Sequence, residues 1–189
     1  MDDAETLAIF RRTGALLDGH FVLRSGLHSR QFFQCARLLQ HPGEAAAVCG
    51  HLARQLARYQ ADSVISPALG GILVGHEVAR QLGMRHIFAE KEEGRLVLRR
   101  GFEIAEGERF LIAEDVVTRG GRVQETLEIV RSRGGVASAI GVIVDRSGGA
   151  HPGFGCPLVS ACRMHIETYE PANLPPDLAA IPAEHPGSK

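Results

Sequence analysis

The sequence has 189 residues, a length that suits one α/β domain with a proper hydrophobic core. Its 21 basic and 22 acidic side chains give a formal net charge of −1, which provides no global attraction to nucleic acid or to an anionic membrane. We therefore predict a single domain over residues 1–189 that binds neither nucleic acid nor a membrane. Any affinity for phosphate must come from a local site and not from the net charge.

No apolar run approaches the roughly 20 residues of a membrane-spanning helix, and the first residues are acidic where a signal peptide would be basic. The four cysteines show no C-x-x-C pair and no spacing typical of a disulfide framework or a zinc site. We expect free thiols and a cytoplasmic location. The cysteines are Cys35, Cys49, Cys156 and Cys162.

The first forty residues predict a short helix followed by two strands. Residues 3–17 carry apolar residues among polar ones and indicate an amphipathic helix that ends near Gly14. Apolar residues at 21–23 and 32–33 flank a polar Ser-Gly turn, which is typical of a hairpin. A hairpin this aromatic usually covers a core. Because adjacent strand residues face opposite sides, Phe32 and Phe33 cannot both enter one core, which leaves one ring for a flat ligand.

Helices and short apolar strands alternate in the next part of the chain, as in an α/β fold. The spacing of apolar residues predicts a helix over 42–60, a strand over 63–67, a helix over 72–82 and a strand over 85–89. A glycine turn at 68–71 joins the first of these strands to the helix that follows. This turn is either an ordinary connection or an anion site.

A charge-rich run extends from Glu90 to Phe102, with glycines at positions 94 and 101 as possible hinges. Runs of this kind are usually solvated β-hairpins, because a dense set of charges favours water over a core. We therefore predict an exposed hairpin between the strand at 85–89 and the apolar run that begins at Phe110.

The most informative stretch runs from Phe110 to Arg122. It begins with four apolar residues in a row, which predict a strand buried on both faces. Apolar residues at helical spacing follow Gly121 and predict an amphipathic helix. Gly120 and Gly121 therefore lie at the amino end of a helix, where the backbone N–H groups and the helix dipole favour an anion such as phosphate.

Two adjacent carboxylates, Glu114 and Asp115, precede this anion site. Carboxylates repel phosphate, so we expect them to contact another part of the same ligand, such as ribose hydroxyls or a magnesium ion. In the alternative interpretation, Asp115 caps the helix region and Glu114 is solvated. The loop is neither a Walker A motif nor a G-x-G-x-x-G motif.

An arginine follows the last predicted strand. Residues 139–144 are apolar and predict another strand buried on both faces, which ends at Asp145 and Arg146. Charged residues at the carboxyl ends of parallel strands point into the crevice where such sheets bind ligands, and the guanidinium fork of Arg146 suits a carboxylate. Its alternative role is an ion pair with Asp145 or a neighbour. The proline-rich tail at 171–189 is expected to pack loosely.

Two motifs resemble those of a known family. The Glu-Asp-Val-Val-Thr-Arg-Gly-Gly string at 114–121 resembles the phosphoribosyl-diphosphate-binding signature of the type I phosphoribosyltransferases. The Phe-x-Leu-Arg-Ser-Gly-x-x-Ser-x-x-Phe-Phe string at 21–33 is similar to the amino-terminal signature of the orotate phosphoribosyltransferases. The resemblance covers about residues 5–170. It implies the type I phosphoribosyltransferase fold: a central, mostly parallel sheet flanked by helices, with a small hood from about residues 1–40 and the carboxy-terminal region.

The resemblance implies a magnesium-dependent transfer of the 5-phosphoribosyl group from phosphoribosyl diphosphate to orotate, giving orotidine 5′-monophosphate and diphosphate in the synthesis of UMP. Magnesium would be held mainly through substrate oxygens. The family also implies a homodimer in which a mobile catalytic loop, matching residues 91–100, closes over the neighbouring subunit's site, while the 68–71 turn lies along the diphosphate. The implied catalytic residues are Lys91, Glu114 and Asp115. The residues implied to bind phosphoribosyl diphosphate are Arg24, Lys91, Glu114, Asp115, Val116, Val117, Thr118, Arg119, Gly120, Gly121 and Arg122. Those implied to bind orotate are Phe32, Phe33, Thr118 and Arg146.

The sequence departs from the family pattern at two places. Positions 119 and 122, usually small or hydroxylic in this signature, are arginines here. The catalytic loop lacks the histidine of many members, so the resemblance leaves open which basic residue is essential. The candidates are Lys91, Arg95, Arg99 and Arg100.

Three competing functions remain. They are a phosphoribosyltransferase for another base, a non-catalytic regulator that senses phosphoribosyl diphosphate and binds nucleic acid, and a general α/β nucleotide binder. Arg146 and the amino-terminal signature favour orotate over other bases. Regulators on this fold carry an added amino-terminal DNA-binding domain, whereas only about twenty residues precede the first signature here.

Overall fold

A computed structural model of the chain describes residues 1–23, 25–151 and 153–186. Arg24, which the resemblance assigns to phosphoribosyl diphosphate, lies outside the described residues. Across these ranges, no helix is long and apolar enough to cross a membrane. The helices are α1 (Asp3–Arg12), α2 (Cys35–Leu39), α3 (Pro42–Leu56), α4 (Gly70–Leu82), α5 (Gly121–Ser132) and α6 (Pro176–Ala179), with a short 3-10 helix at Pro171–Asn173. The strands are β1 (Leu16–Val22), β2 (His28–Phe33), β3 (Ser63–Pro67), β4 (Arg85–Glu92), β5 (Arg95–Leu98), β6 (Arg109–Val117), β7 (Val136–Asp145), β8 (Leu158–Arg163) and β9 (Thr168–Tyr169).

The central sheet has six strands in the order β5-β4-β3-β6-β7-β8. Every neighbouring pair is parallel except β4 and β5, which form an antiparallel hairpin. This arrangement confirms the predicted mostly parallel sheet. Because β3, β6 and β7 run in the same direction, the loops that follow them meet at one end of the sheet, where such folds bind ligands.

Helices cover both faces of the sheet, so the chain has a hydrophobic core on each side. On one face the core includes Leu52 of α3, and on the other it includes Val123 and Leu127 of α5. Strand β6 contributes Leu111 to the first core and Ile112 to the second. The central strand is therefore buried on both faces, as its uninterrupted apolar run predicts.

A small antiparallel sheet, in the order β1-β2-β9, forms the predicted hood. Strands β1 and β2 are the predicted hairpin, and their register places Leu17 opposite Phe32. Strand β9 adds the carboxy-terminal region to this sheet, and a further bridge pairs Phe21 with Glu184. The hood therefore combines residues from both ends of the chain, as the resemblance implies.

Part of the carboxy-terminal tail contacts the hood, although most residues of 171–186 are exposed. Leu178 is buried. Arg30 forms an ion pair with Asp177. The ring of His20 places its Nδ1 2.7 Å from the carbonyl oxygen of Ile181. Prolines interrupt helices and strands in this segment, but they do not prevent individual side chains from packing.

Several helices and strands differ from the prediction at their ends. Helix α1 ends at Arg12, and residues 16 and 17 already belong to β1. Helix α3 stops at Leu56 rather than residue 60, because the chain turns there and Tyr59 N–H donates to the Leu56 carbonyl at 2.9 Å. Helix α4 begins two residues early, and β4 extends to Glu92 within the charged hairpin. Helix α2 and strand β8 have no counterpart in the prediction, because both are short and lack a clear period.

Candidate functional site

The amino end of α5 borders a cavity of about 520 Å³ at the carboxyl end of β6. Gly120 precedes the helix with a φ of 78°, which other residues rarely adopt. No side chain caps the helix, so its first backbone N–H groups are available to an anion. The predicted loop residues Val116, Val117, Thr118, Arg119, Gly120, Gly121 and Arg122 all line this cavity, together with Glu114, Asp115, Val123 and Glu125.

Glu114 is buried, so the interpretation of a solvated side chain is wrong. Only 1% of the residue is exposed. Its Oε1 accepts a hydrogen bond from the Asp115 N–H at 2.9 Å, whereas its Oε2 is buried with no partner among the described residues. Burial, and after it the Asp115 carboxylate, raise the pKa of Glu114 well above its usual range. A buried carboxyl group with one spare oxygen suits a polar ligand group such as a sugar hydroxyl.

Asp115 lies against the glycine turn that follows β3. Its Oδ1 accepts a hydrogen bond from the Val116 N–H at 2.8 Å, and the side chain does not cap α5. A Cβ atom at Gly70 would overlap Asp115 Oδ2, and one at Gly71 would lie 3.1 Å from Glu114 Oε1. The 68–71 turn therefore packs directly on the acidic pair and belongs to the same site.

The two arginines that depart from the family signature are both exposed. Arg122 links the two loops, because its Nη1 donates a hydrogen bond to the Ala68 carbonyl at 3.2 Å. Arg119 has no ion-pair partner in the part of the chain that the structure describes. Both guanidinium groups therefore keep donors that an anionic ligand could use.

The charge-rich run forms the predicted exposed hairpin, as strands β4 and β5. Arg100 forms an ion pair with Glu90 at 2.7 Å, and Arg99 forms one with Glu92 at 2.9 Å. These contacts engage two of the four candidate cations of the catalytic loop with acids of the same hairpin. The remaining candidates are Lys91 and Arg95.

The hairpin contacts α5, and Lys91 lies on the side of the hairpin that faces this helix. The Leu96 N–H donates a hydrogen bond to Glu125 Oε2 at 3.0 Å. Side chains alternate along a strand, so Lys91 shares the face of Ile87, which packs in the core on the α5 side. Arg95 pairs with Glu92, the residue after Lys91, so the Arg95 side chain lies on the opposite face of the hairpin from Lys91. Of the two cations without an acidic partner, Lys91 is therefore the better placed to reach the α5 cavity.

Arg146 is half-buried and has no acidic partner among the residues that the structure describes. Its backbone N–H donates to the Val117 carbonyl at 2.9 Å, which ties it to the end of β6. Its Nε is buried and unpaired within the described residues. The alternative ion pair with Asp145 does not form, because that carboxylate accepts hydrogen bonds from Ser147. Burial lowers the pKa of Arg146, so an anionic ligand group would offset the cost of its buried charge.

The two phenylalanines of the hood face opposite sides, as strand alternation predicts. Phe33 is buried and packs edge-on against Phe10, with ring centroids 4.9 Å apart. Phe32 is half-buried, with its centroid 5.8 Å from that of Phe21. Phe33 is thus part of the core, and Phe32 is the ring that remains accessible to a flat ligand.

Two residues of the site were missed from the sequence. Glu125 reads as an ordinary polar residue on the exposed face of α5, and nothing local indicates its hydrogen bond to Leu96. Ser147 follows Asp145 by two residues, and this spacing is typical of local side-chain-to-backbone hydrogen bonds, so a signal for it was present.

Comparisons with known proteins agree on one family. The model of the phosphoribosyl transferase domain family matches residues 35–154. The orotate phosphoribosyltransferase of Desulforamulus reducens is 46% identical over 189 residues, which cover 100% of this chain and 98% of that protein. The enzyme of the same name from Caldicellulosiruptor saccharolyticus is 48% identical with the same coverage. The crystal structure of orotate phosphoribosyltransferase from Aeropyrum pernix superposes with a TM-score of 0.71 at 27% identity, covering 83% of this chain and 92% of that one.

Proposed function

The chain belongs to the orotate phosphoribosyltransferases, and we propose that it transfers the 5-phosphoribosyl group from phosphoribosyl diphosphate to a ring nitrogen of orotate. The products are orotidine 5′-monophosphate and diphosphate, in pyrimidine nucleotide synthesis. The observation that carries the choice of orotate is the guanidinium of Arg146, which has no partner among the described residues and whose backbone N–H binds Val117 in the lining of the cavity. A base that bears a carboxylate is the substrate that would pair with it.

The arrangement suits a reaction in which the bond from ribose to diphosphate breaks ahead of attack by the base. Positive charge then develops on the ribose and negative charge on the diphosphate, so catalysis needs positioning and charge stabilisation more than a nucleophile. In our proposal the 5′-phosphate binds the backbone at 118–122. Glu114 and Asp115 hold the ribose hydroxyls and stabilise the developing cation. Lys91 stabilises the departing diphosphate.

The base would bind between the hood and the end of β7. Arg146 pairs with the orotate carboxylate, the Phe32 ring lies against the flat pyrimidine, and Thr118 borders it. This assignment omits Phe33, because its ring is enclosed in the core. Arg24 is part of the implied set of ligands but lies outside the described residues.

The residues present fit a magnesium ion that is held through the substrate. Among the described residues, no group of three or more His, Cys, Asp or Glu side chains is arranged to hold a metal ion alone. Glu114 and Asp115 nevertheless offer hard oxygen ligands that suit Mg²⁺, and Glu114 Oε2 has no partner among the described residues. When bound, Mg²⁺ would neutralise charge on the diphosphate. We propose it as the cofactor.

We also propose a cytoplasmic homodimer. The phosphorylated substrates do not cross membranes unaided, which supports the cytoplasm as the location. Residues 91–95 are exposed around the tip of the β4–β5 hairpin, which supports contact with a neighbouring subunit there. In this arrangement residues 92–95 reach the neighbour's site, whereas Lys91 serves its own chain, because it lies on the hairpin face that turns toward α5.

The test of the proposed function is an ultraviolet assay that follows loss of orotate absorbance with phosphoribosyl diphosphate and Mg²⁺. Parallel reactions contain uracil, adenine or hypoxanthine. We expect turnover with orotate alone. Turnover with another base would reassign the substrate, and binding of phosphoribosyl diphosphate without turnover of any base would indicate a regulator instead.

Replacing Arg146 with alanine is expected to raise the KM for orotate at least tenfold, with the KM for phosphoribosyl diphosphate nearly unchanged. The physical reason is the loss of a charge-assisted contact to the carboxylate, typically worth about 1.5–3 kcal/mol. Steady-state kinetics with each substrate varied in turn measure the effect. Arg133→Ala, at the opposite end of α5 from the cavity, is the matched control. Equal effects on both substrates would contradict the assignment.

Replacing Arg122 with serine is expected to leave the affinity for phosphoribosyl diphosphate within about tenfold, or roughly 1.4 kcal/mol. Serine restores the hydroxyl usual in the family, and one donor of Arg122 is already used by the Ala68 carbonyl. Isothermal titration calorimetry measures the change directly. A larger loss would identify Arg122 as a primary phosphate ligand of this chain.

A further inference from the structure

The loop that follows β7 is closed by its own side chains. Asp145 Oδ1 accepts two hydrogen bonds from Ser147, one from the backbone N–H at 2.9 Å and one from the hydroxyl at 2.6 Å. The Ser147 hydroxyl in turn accepts a hydrogen bond from the Gly149 N–H at 3.1 Å. Ser147 is buried, with 9% of the residue exposed. These contacts fix residues 145–149 in one compact turn.

The same turn is attached to the strands on both sides. The Arg146 N–H donates to the Val117 carbonyl at 2.9 Å, and the Met164 N–H donates to the Asp145 carbonyl at 2.9 Å. Val117 is only two residues beyond Asp115 on the same strand. The backbone of Arg146 is therefore held at a set distance from the acidic pair, to which the proposed function assigns the ribose.

The hydrogen bonds of Asp145 determine whether the neighbouring Arg146 guanidinium is free to bind a ligand. Asp145 is the acid adjacent to Arg146 in the sequence, and an ion pair between the two would occupy the guanidinium. Here Ser147 engages the carboxylate, and no acid of the described residues pairs with Arg146. The buried Nε of Arg146 also has no partner within the described ranges. A half-buried guanidinium whose Nε lacks a partner is unfavourable, and an anionic ligand would offset this cost.

We propose that Asp145 and Ser147 are positioning residues for orotate. Their hydrogen bonds keep Asp145 away from the Arg146 guanidinium and hold that group in place for the carboxylate of the base. The inference rests on the proposed function, because it gives the partner of Arg146 its identity. Neither residue touches the substrate, and both act through Arg146.

The first test is Ser147→Ala, which removes both hydrogen bonds of the hydroxyl and frees Asp145 to pair with Arg146. We expect the KM for orotate to rise about tenfold, as for loss of a hydrogen bond to a charged group. The KM for phosphoribosyl diphosphate and the kcat at saturating orotate should stay within about twofold. Ser147→Thr retains the hydroxyl and should restore the KM. Asp145→Asn retains the acceptor oxygen without a charge and should also keep the KM near that of the unmodified chain.

A double-mutant cycle separates positioning from a merely structural role. If Ser147 acts through Arg146, adding Ser147→Ala to Arg146→Ala should raise the KM for orotate no further. The matched control is Ser138→Ala at the opposite end of β7, where the hydroxyl donates to the Gln60 carbonyl at 2.6 Å. That change should leave the KM for orotate unaltered. Thermal melts establish that each variant is folded.

The outcomes distinguish this inference from the proposed function. An equal rise of both KM values in Ser147→Ala, or an additive effect on top of Arg146→Ala, would overturn the positioning role. If Ser147→Ala does not fold, a tenfold rise of the orotate KM in Asp145→Asn would overturn it as well. If Arg146→Ala itself leaves the KM for orotate unchanged, the assignment of Arg146 under the proposed function fails instead.

Discussion

Replacing Lys91 with alanine is expected to lower kcat by about 100- to 1,000-fold, the usual effect of removing one group that stabilises transition-state charge. Lys91 has no acidic partner among the described residues and lies on the hairpin face that turns toward α5. Rapid-quench or steady-state measurement of kcat with saturating substrates tests this. The KM for orotate should change little, because Lys91 is assigned to the diphosphate and not to the base.

Arg99→Ala is the matched control, because it removes a cation from the same hairpin. Arg99 and Glu92 are each about half exposed and form a surface ion pair, which usually contributes 1 kcal/mol or less. We therefore expect Arg99→Ala to retain kcat within about threefold. If Arg95→Ala caused the large loss of kcat and Lys91→Ala did not, Arg95 and not Lys91 would be the cation that acts at the site.

Mixing two inactive variants shows which subunit Lys91 serves. The Lys91→Ala and Asp115→Asn variants are mixed so that their subunits exchange. If Lys91 acts within its own chain, every site lacks one of the two residues and activity does not recover, which is the result we expect. A Lys91 that acts on the neighbouring site would rebuild one intact site in each mixed dimer. Activity would then recover to about a quarter of that of the unmodified protein, since half of the dimers are mixed.

The parts of the fold that the sequence predicts well are those with a strong local period. Strand β3 begins and ends where its apolar run predicts, and the amino end of α5 lies at the paired glycines. The central run at 110–113 is buried on both faces, because four apolar residues in a row cannot be placed with one face in water. In each case the nearest residues along the chain determine the outcome.

The parts that the sequence does not predict depend on contacts between distant segments. Part of the tail packs because Leu178 and Asp177 meet the β1–β2 hairpin, although they lie more than a hundred residues after it. Glu125 contacts the hairpin 29 residues before it. Composition gives no sign of such pairs, because these contacts form and stabilise the fold only when the sheet brings the two segments together. The acidic pair was recognisable as a motif, but its burial was not.

Gly70 shows how such a distant contact could control the chemistry, and Gly70→Ala is expected to lower kcat/KM about 100-fold. A methyl group at this position would overlap Asp115 Oδ2, so either the carboxylate rotates or the 68–71 turn moves away. Misplacement of a substrate-positioning group by about 1 Å can reduce the rate by this factor. The chain should still fold, with some loss of stability from this displacement, because the overlap occurs at the first residue of α4 and involves one half-buried side chain.

Gly43→Ala is the control for Gly70→Ala, since Gly43 lies in the first turn of α3 and a Cβ there would meet no atom within 4 Å. Gly43→Ala should melt at or above the temperature of the unmodified chain and keep its activity, whereas Gly70→Ala should fold with a somewhat lower melting temperature and lose activity. Full activity in a folded Gly70→Ala variant would mean that Asp115 can give way without harm to the reaction. The ribose hydroxyls would then be held by Glu114 alone, whose atoms are not among those that a Cβ at Gly70 would approach most closely.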